Sequence, residues 1–120
     1  MIDVVLVEDD ILLARQFIGV LEGGGAKVRH ARHAAEALLL IDETSPQVII
    51  LDMLLPITSG FTLLHELQSY VDTSEIPVVV CTSMTDTIRI DELRPYGVRR
   101  LIDKTTMQPS DLLAAIKAVL

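Results

Sequence analysis

The chain has 120 residues, half of them hydrophobic but only 3% aromatic, which bounds it to one domain with an aliphatic core. A formal net charge of −7 and a pI near 4.7 disfavour broad contact with a nucleic-acid backbone, which needs a basic footprint. The single Cys81 cannot pair within the chain and fits a reducing compartment. No apolar stretch nears the ~20 residues of a membrane span, and the N-terminus enters a strand at once, leaving no room for a signal peptide. The expected location is the cytoplasm. The chain ends in Ala118-Val119-Leu120, inside an apparent helix, which fits a whole protein or the front domain of a longer one.

The run Ile2 to Val7 reads as a buried strand that breaks into Glu8-Asp9-Asp10. Asp10 can cap a helix over 11–22 that offers Leu12, Leu13, Phe17, Ile18 and Leu21 for burial, and Gly23-Gly24-Gly25 stops it. Lys27 to Ala31 alternates weakly, as an edge strand does. Ala34 to Glu43 is an Ala/Leu-rich helix closed by Thr44-Ser45-Pro46. Val48 to Leu51 is wholly aliphatic and ends on Asp52. A loop from Pro56 to Gly60 leads into a helix from Gly60 to Val71, with Phe61, Leu64, Leu67 and Val71 at helical spacing.

Pro77 opens another buried strand, Val78 to Cys81, which ends at Thr82. A weak helix is expected from Asp86 to Arg94, because Thr85, Thr87, Ile88 and Ile90 are middling helix formers, Pro95 restrains Arg94, and Gly97 ends the segment. Val98 to Ile102 makes a fifth strand, with Lys104 just past its end. Ser110 can cap a last helix carrying Leu112, Leu113, Ile116, Val119 and Leu120. Five strands alternating with five helices imply a parallel sheet covered on both faces, and ligands of such sheets bind at the carboxyl ends of the strands. Glu8, Asp9, Asp52, Thr82 and Lys104 all fall there.

The acids carry the chemistry. Two ionised carboxylates about 4 Å apart cost roughly 4 kcal/mol at an effective dielectric near 20. A chain that gathers three usually holds a hard cation there, and Mg²⁺ is the usual one where phosphate is the substrate. Asp10 reads as a helix cap rather than a ligand, and His30, His33 and His65 as solvent-facing residues. Cys81 reads as a small buried hydrophobe.

Four blocks in order, Val7-Glu8-Asp9-Asp10, Asp52-Met53-Leu54-Leu55-Pro56 with Gly60, Val80-Cys81-Thr82-Ser83 and Asp103-Lys104, make the whole chain, residues 1–120, resemble a receiver domain of a bacterial two-component response regulator. The resemblance implies a flavodoxin-like (CheY-like) doubly wound α/β fold with strand order 2-1-3-4-5. It implies that Asp52 accepts a phosphoryl group from a sensor histidine kinase. Asp9 and Asp52 would bind Mg²⁺ directly, Glu8 through water, and the backbone carbonyl of Leu54 would supply a further ligand. Lys104 and Thr82 would contact the phosphate oxygens. Such a domain is not a conventional enzyme; it catalyses its own phosphorylation and dephosphorylation, here slowly, because Leu54 and Met84 cannot orient a water well. Its partners would be the kinase and an effector or appended output domain, reached through the fourth helix, fifth strand and fifth helix. It would touch neither nucleic acid nor membrane directly, and would be a monomer or a weak phosphorylation-dependent dimer.

The chain departs from that pattern in the last third. Leu101 stands where the family has Tyr or Phe, so the usual aromatic–Thr coupling is in doubt. Thr105 stands where Pro follows the lysine, and a non-proline cis bond costs about 3–4 kcal/mol, so a trans Lys104–Thr105 bond is expected. Arg99-Arg100 and Ala115 do not support the salt-bridged dimer of winged-helix regulators. Arg89, Arg94, Arg99 and Arg100 fit either a solvated surface or docking of an acidic partner. Three alternatives compete. An aspartyl-phosphate enzyme of the haloacid-dehalogenase kind would need an acid at Leu54. A flavodoxin-like cofactor binder would need a phosphate loop where the acids stand. A receiver-like interaction module would act without phosphorylation.

Overall fold

The computed structural model describes residues 1–55 and 59–120. Five strands, β1 (Ile2–Val7), β2 (Ala26–Ala31), β3 (Val48–Leu51), β4 (Val78–Thr82) and β5 (Val98–Asp103), form one parallel sheet in the order β2-β1-β3-β4-β5. The helices among the described residues are α1 (Ile11–Gly23), α2 (Ala34–Thr44), α3 (Gly60–Gln68), α4 (Val71–Ser74), α5 (Ile90–Leu93) and α6 (Ser110–Val119), with a 3₁₀ turn over Arg94–Tyr96. The sheet order is the one expected, and the helix count is one higher.

Strand alternation divides the core. Val5, Val7, Ile49, Leu51, Val78 and Val80 face a cluster with Ala37, Ile41, Leu64 and Leu93 from α2, α3 and α5. Val4, Leu6, Val48, Ile50, Val79 and Cys81 face a second cluster with Phe17, Leu21, Leu112 and Ile116 from α1 and α6. The strands β1, β3 and β4 are buried on both sides, which is why they read as unbroken aliphatic runs. Cys81 lies buried among these aliphatic side chains, and burial pushes its thiol up to about 12.

Several elements differ from the sequence expectation. The helix expected from Gly60 to Val71 stops at Gln68 and restarts as α4, because Tyr70 is extended (φ −120°, ψ 137°). Side-chain hydroxyls stabilise the break: Ser69 Oγ donates to the His65 carbonyl at 2.8 Å and Thr73 Oγ1 to the Leu67 carbonyl at 2.5 Å. The buried stripe is Gly60, Leu63, Leu64 and Leu67, so Phe61 and Val71 lie exposed. In α1 the stripe is Ala14, Phe17 and Leu21, and Leu12 is 77% exposed. Asp10 caps α1 as expected, accepting the Leu13 N–H at 3.1 Å. Ser110 does not cap α6; Pro109 holds that position, and Asp111 accepts the Gln108 N–H at 2.8 Å.

The weak helix expected from Asp86 to Arg94 is one turn, Ile90–Leu93. Arg89 is extended (φ −110°, ψ 139°), and the Met84 carbonyl is taken up in a turn by Thr87, which donates both its N–H and its Oγ1 hydroxyl at 3.1 Å. Pro95 is taken up in the 3₁₀ turn with Arg94 still helical, and Gly97 closes the turn in the left-handed region at φ 86°. The described residues contain no cis peptide, so Lys104–Thr105 is trans as expected. Pro56, Ile57 and Thr58, part of the expected loop, lie outside the described residues.

Gly60 is the tightest backbone contact near the end of β3. Its N–H donates to the Met53 carbonyl at 2.9 Å, and a Cβ there would meet the Met53 Cα at 2.7 Å and the Asp52 carbonyl oxygen at 3.0 Å. Gly60→Ala is therefore expected to cost about 1–3 kcal/mol by overpacking, read as a lower urea midpoint with unchanged slope. An unchanged midpoint would show that the Asp52–Met53 turn yields freely.

Candidate functional site

Strand register brings the site residues to one edge. Val7 pairs with Ala31 on one side and with Leu51 on the other, so Glu8 and Asp52 leave their strands side by side. The ladder continues past the strand ends: Glu8 N–H donates to Ala31 O at 3.0 Å and Asp52 N–H to Val7 O at 3.2 Å. Leu51 pairs with Val80, and β4 runs on to Thr82, which pairs with Asp103 of β5. Lys104 N–H then donates to Thr82 O at 3.0 Å. The backbone of all four positions is thus fixed before any side chain is considered.

Carboxylate oxygens of Glu8, Asp9 and Asp52 lie within 4.8 Å of one another. Glu8 and Asp52 are buried, at 2% and 5% exposure, while Asp9 faces solvent. The Lys104 ammonium donates to Asp52 Oδ2 at 2.6 Å and pairs with Glu8 Oε1. The other oxygens take backbone donors: Leu54 N–H to Asp52 Oδ1 at 3.0 Å, and Asp10 N–H to Glu8 Oε2 at 3.2 Å. Burial pushes the Glu8 carboxyl above its ordinary value, against the lowering effect of its bond to Lys104. Burial alone would lower the Lys104 ammonium, but its bonds to Asp52 and Glu8 outweigh that and raise it. Both directions describe one ammonium shared by acids that repel each other.

This donor set fits Mg²⁺, which takes hard oxygen ligands and binds through one or two carboxylates while keeping several waters. The exposure of Asp9 leaves the cluster open on its solvent side. Three carboxylates against one ammonium leave a net negative site that a divalent cation would neutralise.

Thr82 is fully buried at the end of β4, and its Oγ1 accepts the Met84 N–H at 3.3 Å, so its hydroxyl hydrogen remains available for a second partner. Thr82, Lys104, Glu8, Asp9 and Asp52 are thus all on the carboxyl edge that the sequence assigned them.

Sequence reasoning missed a second network there. Asp103 accepts from Thr105 twice, at 2.9 Å from N–H and 2.6 Å from Oγ1, and from Thr85 Oγ1 at 3.1 Å. Thr105 hydrogen bonds hold the Asp103 carboxyl below the usual carboxylate range. The signal was an Asp-x-Thr turn, readable in the sequence, but Thr105 drew notice only as a missing proline. Two histidines also differ from expectation. His30 is half-buried with Nε2 2.7 Å from the Glu8 carbonyl, and His33 Nδ1 accepts the Glu36 N–H at 3.3 Å as the cap of α2. His65 is exposed, its ring edge-on to Tyr96.

Comparison with known proteins agrees with the fold. The response regulator receiver domain family matches residues 4–117. The chain belongs to that family. It is 29% identical to the DNA-binding response regulator MtrA of Mycolicibacterium paratuberculosis over 96% of this chain and 49% of that protein. It is 32% identical to the phosphate regulon transcriptional regulatory protein PhoB of Pseudomonas aeruginosa, over 97% of this chain and 51% of that one. The chain therefore spans about half the length of the curated relatives it matches. Among solved structures, the Vibrio cholerae chemotaxis protein CheY4 superposes with a TM-score of 0.90 at 25% identity, covering 100% of this chain and 99% of that one. The signal receiver domain of a Syntrophus aciditrophicus signal transduction histidine kinase superposes at 0.87 with 28% identity, covering 100% and 90%. No helix among the described residues is long and apolar enough to cross a membrane.

Two substitutions test these electrostatics. Lys104→Met leaves two buried carboxylates facing each other and is expected to cost about 1–3 kcal/mol in urea unfolding at neutral pH, with part regained in Mg²⁺. Equal stability in the two proteins would show the ammonium contributes nothing. Thr105→Val removes one Oγ1 donor, so the Asp103 carboxyl should titrate closer to its ordinary value in carboxyl NMR. A depressed carboxyl gives stability present above its unfolded pKa and lost as pH falls through the folded value, so the variant should lose part of that increment at neutral pH and fall less steeply on acidification. An unshifted Asp103 titration would assign the depression to the other donors.

Proposed function

We propose that this receiver domain, over residues 1–120, is a phosphoacceptor switch in which Asp52 takes a phosphoryl group from the phosphohistidine of a sensor kinase. The observation that carries the reading is the Asp52 carboxylate held at the end of β3 between Lys104 and the Glu8–Asp9 acids. Phosphoryl transfer needs an in-line nucleophile and neutralised equatorial oxygens more than covalent help. An Asp52 oxygen attacks phosphorus as the P–N bond to the kinase imidazole breaks, and the electron pair stays on that nitrogen, which takes a proton.

The chain's own groups prepare this step. The Leu54 N–H orients the Asp52 carboxylate through Oδ1. The Lys104 ammonium, now on Asp52 Oδ2, is positioned to follow charge onto the phosphoryl oxygens. Thr82 offers its hydroxyl hydrogen as a further donor. Asp9 and Asp52 would hold Mg²⁺ directly, with Glu8 through water and the Leu54 carbonyl as a further ligand. When bound, the ion supplies the positive charge that offsets repulsion between carboxylate and phosphate. The product adds about −1.5 to −2 charge next to Thr82.

The output would pass through the Arg89–Arg100 region to an effector protein or appended output domain. Cytoplasmic location accords with a kinase-linked switch. The proteins MtrA and PhoB, about twice as long, support an output carried by further chain. A second reading, docking without phosphorylation, is favoured by Leu101, which packs half-buried on the core where the family's aromatic switch residue would stand.

Incubation with Mg²⁺ and acetyl phosphate, followed by intact mass, separates the two. Wild type is expected to gain one phosphoryl group and Asp52→Asn none. The gain should be lost slowly, because neither Leu54 nor Met84 can align a water. The same mass change in both proteins, or none in wild type, would favour the docking module.

A further inference from the structure

The break between α3 and α4 builds a surface that the phosphoacceptor reading does not use. Between α2 and the α3–α4 turn lies a cleft of about 570 Å³. Its apolar wall includes Leu38, Leu39 and Tyr70. Leu39 is 65% and Tyr70 61% exposed, unusual for large apolar groups so close together. Asp42, Glu66 and Asp72 line the same cleft, and among the described residues no lysine or arginine does. Had the helix run on to Val71, Tyr70 would not have been turned out by its extended backbone.

We infer that this cleft is a docking groove for an amphipathic helix of a partner protein, with leucine-like side chains on one face and lysines or arginines flanking it. A groove between two helices accepts a third by ridge-into-groove packing, and helix-in-groove recognition uses such apolar anchors. The three carboxylates select the flanking charge. They steer a basic segment in and repel an acidic one or an anionic membrane surface. A second copy of this chain does not meet the requirement. Its Arg99 and Arg100 sit on β5 and not on a helix, and α1 and α6 carry one cation each, Arg15 and Lys117. The groove lies on the α2–α3 side, away from the carboxyl-edge acids, so its binding does not depend on Asp52.

The test uses the isotopically labelled 120-residue chain and two synthetic helical peptides of the same pattern, leucine–lysine and leucine–glutamate. Saturable amide shifts centred on Leu38, Leu39 and Tyr70 are expected with the lysine peptide only. Leu39→Glu, at an exposed helix position, should weaken binding about tenfold or more with unchanged thermal unfolding, and Tyr70→Ala should act in the same direction. Asp72→Asn should weaken it and flatten its salt dependence. Shifts centred elsewhere, equal binding of the glutamate peptide, or indifference to Leu39→Glu would overturn the inference. Shifts at the groove on dilution of the protein alone would do so too, by assigning it to self-association.

Discussion

One ammonium shared by two buried carboxylates holds the site together. Glu8 and Asp52 come from adjacent central strands and cannot move apart, because their backbones are tied into the sheet ladder. Lys104 comes from the strand end two places along and reaches both. Breaking a buried pair on one side leaves a charge that water reaches poorly, which costs more than the pair is worth intact. The arrangement is therefore stable but not neutral. Asp9 adds a third carboxylate that is not paired with the ammonium, and the edge keeps a net negative charge.

That interaction depends on register more than on any local feature. Side chains alternate along a strand, so a slip of one residue in β4 or β5 would swap the faces and carry Lys104 away from Asp52. The bulge between Val78 and Val79 shows that β5 adjusts its pairing at the far end, leaving Cys81, Thr82, Ile102 and Asp103 in step at the site end. Register is secured by aliphatic burial on both faces of β1, β3 and β4. The core and the site are one construction: what fixes the strands fixes the acids.

This explains which parts were legible in the sequence. A run such as Val48 to Leu51 has few structural options, and an acid at its end can only fall at the sheet edge, so Asp52, Glu8 and Lys104 were placed from sequence. The failures share a different cause. The helix past Gln68, the stripe of α1 and the turn at Thr87 were each decided by hydroxyl-to-carbonyl bonds or by which of two apolar stripes met the sheet. Periodicity ranks Leu12 with Phe17, but Ala14 is small enough to lie against the sheet and turns Leu12 outward. The Thr85–Asp103 half of the second network was hidden for a third reason: its members are 18 residues apart, and the pairing of β4 with β5 makes them neighbours, whereas the Asp103–Thr105 half is a local turn.

That network bears on how a change at the edge would travel. Thr82 ends β4, and the segment beyond it is anchored by few core contacts, chiefly Ile88 and Leu93. Thr85 in that segment is tied to Asp103, the residue before Lys104. Displacement of Lys104 or Thr82 toward new negative charge would thus strain a bond to the turn that leads into α5. A switch needs two states close in energy, and α5 is a single turn with one buried residue, Leu93. Leu101 lacks the hydroxyl and the ring of the residue the family places there, so the Asp103–Thr85 bond is the polar link that remains between β5 and the loop after β4 among the described residues. In this chain the hydrogen bonds beside the acid edge run from Thr105 through Asp103 to Thr85, close to a position where the family carries an aromatic side chain and this chain carries Leu101.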